Sequence, residues 1–399
     1  MHAAAPAPQG PPPYQVVGKH AVMPETRHDE AARFNYLANM NQFLSAEFLP
    51  RVKRAYDKRA LPRFQAEHGR APVHRREVRE LMSEEPAYQA WSAMRRATME
   101  QRQQAGRSVV LRQLDHLNAV AKAVADDPGL KLDPNFQPPR YLTGVDHHCM
   151  PGGYLGELAP DDVSAPANYD VGIFATTGGA LGRYSDGGGA AIAAWLKREH
   201  PDFKPKRILD LGCGLGHNTL PLAQAFPDAE VIALDAAAPM LRYGHARARS
   251  LGVTNVRFVQ GSAEAVNEPD ASFDLIVTCM FLHETSYTAI KRVFFETRRL
   301  LAPDGISLHI EQPQYQNMDV YEQFIRDWDA YNNNEPFWTT MHEMDLTELA
   351  TDAGFDRTKI FETGVRAVVD AALFPQAAAA QKQEDYGRSA AWYVFGARV

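Results

Sequence analysis

The stretch ILDLGCGLG, residues 208–216, decides the fold. Ile208 to Leu211 form an apolar run broken only by Asp210, of the length and character of a strand buried on both faces. Gly212, Gly214 and Gly216 follow at alternate positions, and His217-Asn218-Thr219 then opens a helical pattern. Glycines at such a turn let the backbone bend sharply and let a ligand approach where a Cβ would collide. The next apolar run, EVIAL, leads to Asp235, 23 residues beyond Gly212. A carboxylate in that place accepts hydrogen bonds from the two hydroxyls of a ribose. Strand, glycine turn, helix, strand and acid, in this order, make a nucleoside-binding constellation.

The pattern continues on the C-terminal side. VRFV, FDLIVTCM, GISLHIE, TKIFET and AWYVFGARV read as strands, with helical patterns at 238–250 and 287–301 between them. Short apolar runs alternating with helices predict an α/β fold with a doubly wound, Rossmann-like, mostly parallel sheet of seven strands. Its ligand should lie beyond the carboxyl ends of the strands. A dinucleotide loop would carry glycine or alanine at 217, where this chain has His217, and no Lys-Ser/Thr follows as in a phosphate loop. A ligand with a ribose and a nearby cationic centre but no pyrophosphate suits Asp210 and Asp235 together. S-adenosylmethionine is such a ligand.

Five segments in register carry a family resemblance. ILDLGCGLG resembles the first motif of class I S-adenosylmethionine-dependent methyltransferases, and VIALDAAAPML the acidic second motif. VQGSAEAV, FDLIVTCMFLHE and LLAPDGISLHIEQ resemble the third, the fourth and the fifth-strand segments. The nearest flavour is the methyltransferase domain of ubiquinone and menaquinone biosynthesis. The resemblance implies that the backbone at Gly212 and Gly214 faces the methionine part of the cofactor, with Asp210 nearby. It places Asp235 on the ribose, Ala236, Ser262 and Ala263 by the adenine, and Thr278 and Cys279 beside the sulfonium. Cys213 and Cys279 read as small buried residues rather than nucleophiles.

Methyl transfer is an in-line displacement with a neutral leaving group, so position and exclusion of water dominate. A base is needed only where the nucleophile arrives protonated. His283 and Glu284 after the fourth strand, and His309 and Glu311 on the fifth, are the candidates. His283 and Glu311 are the expected catalytic pair, since Glu311 is nearer the carboxyl end of its strand. Expected substrate contacts are His147, His148 and Tyr184, together with Asn333, Trp338 and His342 of an insert at 313–345. Tyr169 and Tyr184 could close over the cofactor as part of a lid.

The domain plan follows from composition. Residues 1–27 (MHAAAPAPQGPPPYQ at the start) read as a disordered tail. Residues 28–187 read as a mainly α-helical N-terminal domain with a glycine-rich lid or linker, and 188–399 as the cofactor-binding domain. Ser83-Glu84-Glu85-Pro86 looks like a helix start, with Ser83 as the cap. Residues 51–112 hold 15 Lys and Arg against seven Asp and Glu, although the whole chain carries −7. This basic segment is expected to be a solvated face or one that docks on the acidic half.

Three scattered cysteines, with no signal-like leader and no apolar run near the ~18 residues of a membrane span, point to a cytoplasmic protein. Asp146-His147-His148-Cys149 spells the active-site letters of protein palmitoyltransferases, but those are integral membrane proteins with a cysteine-rich zinc domain, so the match reads as chance. No second Cys/His pair stands at metal spacing, so no metal is expected. Amino-methylating DNA enzymes carry an Asn/Asp-Pro-Pro-aromatic motif where this chain has Thr278-Cys279-Met280-Phe281, and the acidic total opposes a phosphate footprint. No nucleic-acid partner is therefore expected. The reading is methyl transfer to an oxygen or nitrogen of a small molecule. Its alternatives are a lipid or quinone-like acceptor at a membrane surface, or a non-catalytic cofactor-binding regulator. A homodimer stays open.

Overall fold

The computed structural model describes residues 10–316, 318–366, 368, 370, 372–373 and 391–399. Its centre is one sheet of strands β1 (Leu130–Lys131), β2 (Arg207–Leu211), β3 (Glu230–Asp235), β4 (Val256–Gln260), β5 (Phe273–Cys279), β6 (Leu301–Glu311), β7 (Ile360–Arg366) and β8 (Ala391–Arg398). The spatial order is β1-β4-β3-β2-β5-β6-β8-β7. The six strands β1 to β6 run parallel, while β8 pairs antiparallel with both β6 and β7. The strand order reverses beside β2, so its carboxyl end with the glycine turn opens at the switch point where such folds bind ligands.

The sheet has eight strands rather than the expected seven. The extra one, Leu130–Lys131, comes from the N-terminal part and pairs with Phe258 and Val259 at the edge of β4. The two residues lie after DDPG, in a segment whose prolines and glycines gave no strand signal; only the exposed edge of β4 makes them one.

Apolar side chains from both faces of the strands form two cores under flanking helices. Ile208, Val231, Leu275 and Leu308 pack on one side. Leu209, Ile232, Ile276 and Phe395 pack on the other. A third core joins the N-terminal helices to the sheet domain: Phe34, Leu37, Val109, Val171 and Phe174 meet Leu215, Met240 and Tyr243. The packing is therefore continuous across the 187/188 division read from sequence. Among the described residues no helix is long and apolar enough to cross a membrane.

Three local expectations are corrected. Residues 1–9 of the expected tail lie outside the described residues, but 10–27 are packed rather than loose. Tyr14 is 1% exposed, its ring stacks on Phe34 at 4.9 Å and meets Phe174 edge-on at 5.3 Å, and its N–H donates to Asn35. An aromatic ring and Val22, also buried, outweigh the low-complexity prolines around them. Second, Ser83 does not cap the next helix: it ends the preceding one, Arg75–Ser83, and donates its hydroxyl to Glu80 O. The helix Pro86–Leu111 starts at its proline, with Glu85 as the preceding residue.

Third, the C-terminal end of the glycine-rich stretch is built into the fold. Gly187, Gly188 and Gly189 are buried in the first turn of the helix Gly187–Glu199. A Cβ on Gly189 would lie 2.1 Å from Asn218 O, so glycine there permits close packing.

The basic segment docks on acids as one of its expected readings held. Arg75 and Arg79 pair with Asp327, Arg75 also with Glu343, and Arg95 with Asp329. These pairs tie the N-terminal helices to the 313–345 insert. Tyr14→Ala should cost about 3–5 kcal/mol of folding free energy, the range for truncating a buried aromatic ring. A urea midpoint unchanged from the parent protein would show that residues 10–27 are not part of the core.

Candidate active site

At the carboxyl ends of β2, β3 and β5 lies a cavity of about 850 Å³, roofed by the N-terminal helices and the insert. The glycine turn forms its floor. Gly212 and Cys213 both donate their N–H to Leu234 O, which seats the turn against β3. Gly212, Gly214 and Gly216 all have positive φ, between 52° and 81°. A Cβ on Gly212 would come within 2.1 Å of the Phe281 ring, while above Gly214 there is open space. The turn is thus shaped as a bare backbone cradle facing the cavity.

Asp235 ends β3 at the cavity wall. Its carboxylate accepts from the N–H of Gly214 and of Ala237, both at 2.8 Å. Burial raises its pKa, offset in part by those two N–H groups, to about 6. Ala236, Ser262, Ala263 and Cys279 also line the cavity.

Asp210 and Thr278 do not line it, contrary to expectation. Asp210 is buried beneath the turn, where its carboxylate accepts the Thr219 hydroxyl at 2.5 Å and burial raises its pKa to about 7. Thr278 is buried against His309, Oγ1 to Nδ1 3.0 Å. In a strand alternate side chains face opposite sides, so Cys279 reaches the cavity and its neighbour does not.

Opposite the turn stands an alternating array of carboxylates and imidazoles. His148 Nε2 meets Glu284 Oε1 at 3.0 Å, and His148 Nδ1 meets Glu335 Oε1 at 3.0 Å. His283 Nε2 lies 3.7 Å from Glu335 Oε2, and its Nδ1 lies 2.6 Å from Glu311 Oε2. Burial alone would lower the pKa of His148, but Glu335 and Glu284 on its two sides raise it to about 10. Burial would likewise lower His283, and Glu311 with its neighbours raises it to about 9. Burial would raise Glu284, and the His148 hydrogen bond brings it down to about 2. Both imidazoles are therefore cations at neutral pH, each held between carboxylates.

The backbone that presents this array is strained. His148, Cys149, Met280 and Asn334 all have φ between 51° and 59°, unusual for residues with a Cβ. Asn334 Nδ2 donates to Asp146 O, Gln103 Nε2 to His148 O, and Gly152 N–H to Asp146 Oδ1, which together hold the Asp146–Cys149 turn in place.

The structure separates the predicted substrate contacts. His148, Asn333 and Trp338 line the cavity; His147, Tyr184 and His342 do not. His147 is fully buried with neither ring nitrogen bonded, its ring stacked on Tyr154 at 5.7 Å, and burial lowers its pKa. The left-handed turn at His148 sends the two adjacent rings to different surroundings. Tyr184 packs its ring on Gly18, where a Cβ would come within 2.3 Å. His342 is buried against Pro313 O and stacked on Tyr315. Of the expected catalytic pair, His283 lines the cavity, whereas Glu311 lies behind it, also accepting the N–H of Phe281 and Leu282.

Glu335, Tyr154, Tyr169 and Arg102 line the cavity as well. Glu335 was missed in sequence, although it directly follows the asparagines of the insert. Tyr154 belongs to the GVDHHCMPGGY stretch and gives its hydroxyl to Glu284 at 2.7 Å. Arg102 was hidden in a basic helix where charge count alone gives no hint of burial. Among the described residues no group of three or more His, Cys, Asp or Glu is placed to hold a metal ion.

A bare glycine turn, an acid at the end of the next strand and a cavity at the switch point make up a pocket of the kind that holds a nucleoside cofactor in α/β folds. The family described as "Methyltransferase domain" matches residues 208–305, the part holding turn, acid and β5. Demethylmenaquinone methyltransferase of Thermus thermophilus is 36% identical over 109 residues, 27% of this chain and 48% of that protein. Malonyl-[acyl-carrier protein] O-methyltransferase of Methylococcus capsulatus is 38% identical over 117 residues, 29% of this chain and 40% of that protein. The chain thus spans less than half the length of these relatives. A solved S-adenosylmethionine-dependent methyltransferase from Aquifex aeolicus overlaps 49% of this chain and 82% of its own, at 17% identity and a TM-score of 0.32. Over residues 208–305 the chain is thus similar to methyltransferase domains, and S-adenosylmethionine is the cofactor that this similarity supports.

The pKa shifts fix a stability window for the array. His148, ordinarily near 6.5 and here about 10, contributes stability that is full below pH 6.5 and is lost as pH rises through about 10. Glu284, ordinarily near 4.5 and here about 2, contributes stability that is full above 4.5 and is lost as pH falls through about 2. His148→Gln should therefore destabilise the protein by about 3–5 kcal/mol, the cost of breaking a buried pair. Urea unfolding at pH 6.5 should show that full difference, and it should shrink once the pH passes about 10. A difference that stays constant across that range would remove the charged-array assignment.

Proposed function

We propose that this chain transfers the methyl group of S-adenosylmethionine to an oxygen or nitrogen of a small molecule enclosed in the cavity. The glycine turn at Gly212 and Gly214 would hold the methionyl part, Asp235 the ribose, Ala236, Ser262 and Ala263 the adenine, and Cys279 would wall the reacting centre. The bare cradle over Gly214 and the acid at the end of β3 support that fit. When bound, S-adenosylmethionine supplies an electrophilic methyl group on a sulfonium, whose leaving group is neutral.

The observation that carries the choice of acceptor atom is Glu335. Its side chain is 2% exposed, and Oε2 makes no hydrogen bond, its ion-pair neighbour His283 Nε2 standing off at 3.7 Å. A buried carboxylate oxygen left unmatched is costly unless a ligand fills the gap. An O–H or N–H acceptor would donate to it, and its proton would pass to Oε2 as the methyl bond forms. His148 and His283 flank Glu335 and orient its carboxylate, and Glu311 acts as a positioning residue by fixing the His283 ring. The roof of helices excludes water and holds the acceptor in line, which is where most of the rate enhancement of such a displacement arises.

A second reading is a lipid or quinone-like acceptor. Leu44, Leu49, Trp91, Met99 and Ile173 give the far wall of the cavity an apolar lining, and a demethylmenaquinone enzyme is among the relatives. It differs from the first in the bulk of the acceptor rather than in the chemistry at Glu335.

Two measurements test the proposal. Asp235→Ala should weaken S-adenosylmethionine binding by about 1.5–3 kcal/mol, the worth of hydrogen bonds to a charged group; an unchanged calorimetric affinity would displace the cofactor from this cavity. Glu335→Gln, assayed by transfer of labelled methyl to a panel of hydroxyl and amine acceptors, should lower turnover ~100- to 10,000-fold, the usual share of a general base. Turnover equal to the parent protein would take the proton-accepting role away from Glu335.

A further inference from the structure

Arg102 stands on the helix Pro86–Leu111 and lines the cavity. It is 4% exposed. Its Nε donates to Gly172 O at 3.1 Å, and its guanidinium carbon lies 5.5 Å from the centre of the Tyr169 ring. Among the described residues no carboxylate pairs with it. The contrast with other arginines is sharp: Arg95, seven residues earlier on the same helix and also lining the cavity, is matched by Asp329, and Arg112 by Glu30. Around Arg102 the ionisable neighbours are Tyr169, Tyr154 and Cys149, all neutral at ordinary pH, and burial pulls its pKa down.

A buried guanidinium costs several kcal/mol unless an anion compensates it. Arginine offers five N–H donors in a planar fork, and here only Nε is used by the protein. The remaining face is turned to the cavity. The stacked Tyr169 ring lies between this face and the reacting end: its centre is 6.3 Å from the His148 ring and 6.2 Å from the His217 ring beside the glycine turn. Glycine at 172 allows the approach, since a Cβ there would lie 3.2 Å from Arg102 Nε.

We propose that Arg102 is the anion-binding residue of the cavity, clamping a carboxylate or phosphate through its free guanidinium edge. This rests on the reading that the cavity holds cofactor and acceptor together. Two sources can supply the anion: a carboxylate or phosphate on the acceptor, or the methionyl carboxylate of the cofactor. In the first case the acceptor is a small acid that presents its hydroxyl or amine to Glu335 and its anionic end to Arg102.

Calorimetry on the full chain distinguishes these, using S-adenosylhomocysteine, 5′-methylthioadenosine (which lacks the amino-acid part) and phenyl phosphate or benzoate as probes. The variants are Arg102→Met and Arg102→Lys. If the anion belongs to the cofactor, Arg102→Met weakens S-adenosylhomocysteine at least ~10-fold, a loss of one charged hydrogen-bonded contact, and leaves methylthioadenosine unchanged. If it belongs to the acceptor, S-adenosylhomocysteine affinity is kept. The loaded parent protein then binds phenyl phosphate or benzoate, and Arg102→Met loses that binding by a similar factor. Arg102→Lys should recover part of either loss. Retained methylthioadenosine affinity shows that the variant's pocket is intact; should Arg102→Met not fold, Arg102→Lys against the parent carries the same comparison. A variant that binds every probe like the parent, or a loaded parent that binds neither anion while its cofactor affinity ignores Arg102, overturns the assignment. A parent protein that binds neither nucleoside would instead sink the cavity's role as the cofactor site.

Discussion

The array Glu284–His148–Glu335–His283–Glu311 is the constraint around which the rest is arranged. Three carboxylates and two imidazoles share a space with little water, and there an isolated charge is not tolerated. Alternation solves the problem: each imidazole lies between two carboxylates, at distances of 2.6 to 3.7 Å. The solution needs four segments that are remote in the chain, the Asp146–Cys149 turn, the turn after β5, the end of β6 and the insert around Glu335. Removing any one leaves a buried charge unmatched. The array therefore also clamps the helical roof to the carboxyl edge of the sheet, and the Arg75, Arg79 and Arg95 pairs with Asp327 and Asp329 extend that clamp outward.

Function and strain coincide in this region. The left-handed residues His148, Cys149, Met280 and Asn334 all belong to segments that supply or abut the array, and His148, Met280 and Asn334 are held by hydrogen bonds to neighbouring elements. Such conformations persist only when their surroundings over-determine them. The glycine turn below achieves a similar reversal at no steric cost, because its positive-φ positions lack a Cβ. The cavity thus has a relaxed glycine floor and a strained roof.

Much of the floor was legible from residues alone. Alternating apolar runs gave the strands and helices of a Rossmann-like, mostly parallel sheet, and the spacing from Gly212 to Asp235 put acid and turn side by side. Neighbours in that region are close in sequence, or follow from strand and helix periods. Errors there were matters of facing: Asp210 and Thr278 belong to the right strand ends, but Asp210 points beneath the turn and Thr278 toward His309, since period two in a strand sends adjacent side chains to opposite sides. The roof was not legible in this way. His147 and His148 looked equivalent on paper, yet a single positive φ buries one and seats the other between two carboxylates. Tyr14 sat in a low-complexity stretch and turned out to be core.

The sequence by itself determined the α/β class, the parallel sheet, the glycine turn and the acid of β3, and with them the kind of cofactor. Local periodicity and steric freedom dictate these, and both are written residue by residue. Tertiary structure decided which histidine, which glutamates and which arginine face the cavity. Burial, pairing and desolvation are properties of groups brought together from 102, 148, 284, 311 and 335, and no spacing along the chain encodes which of them ends up beside which.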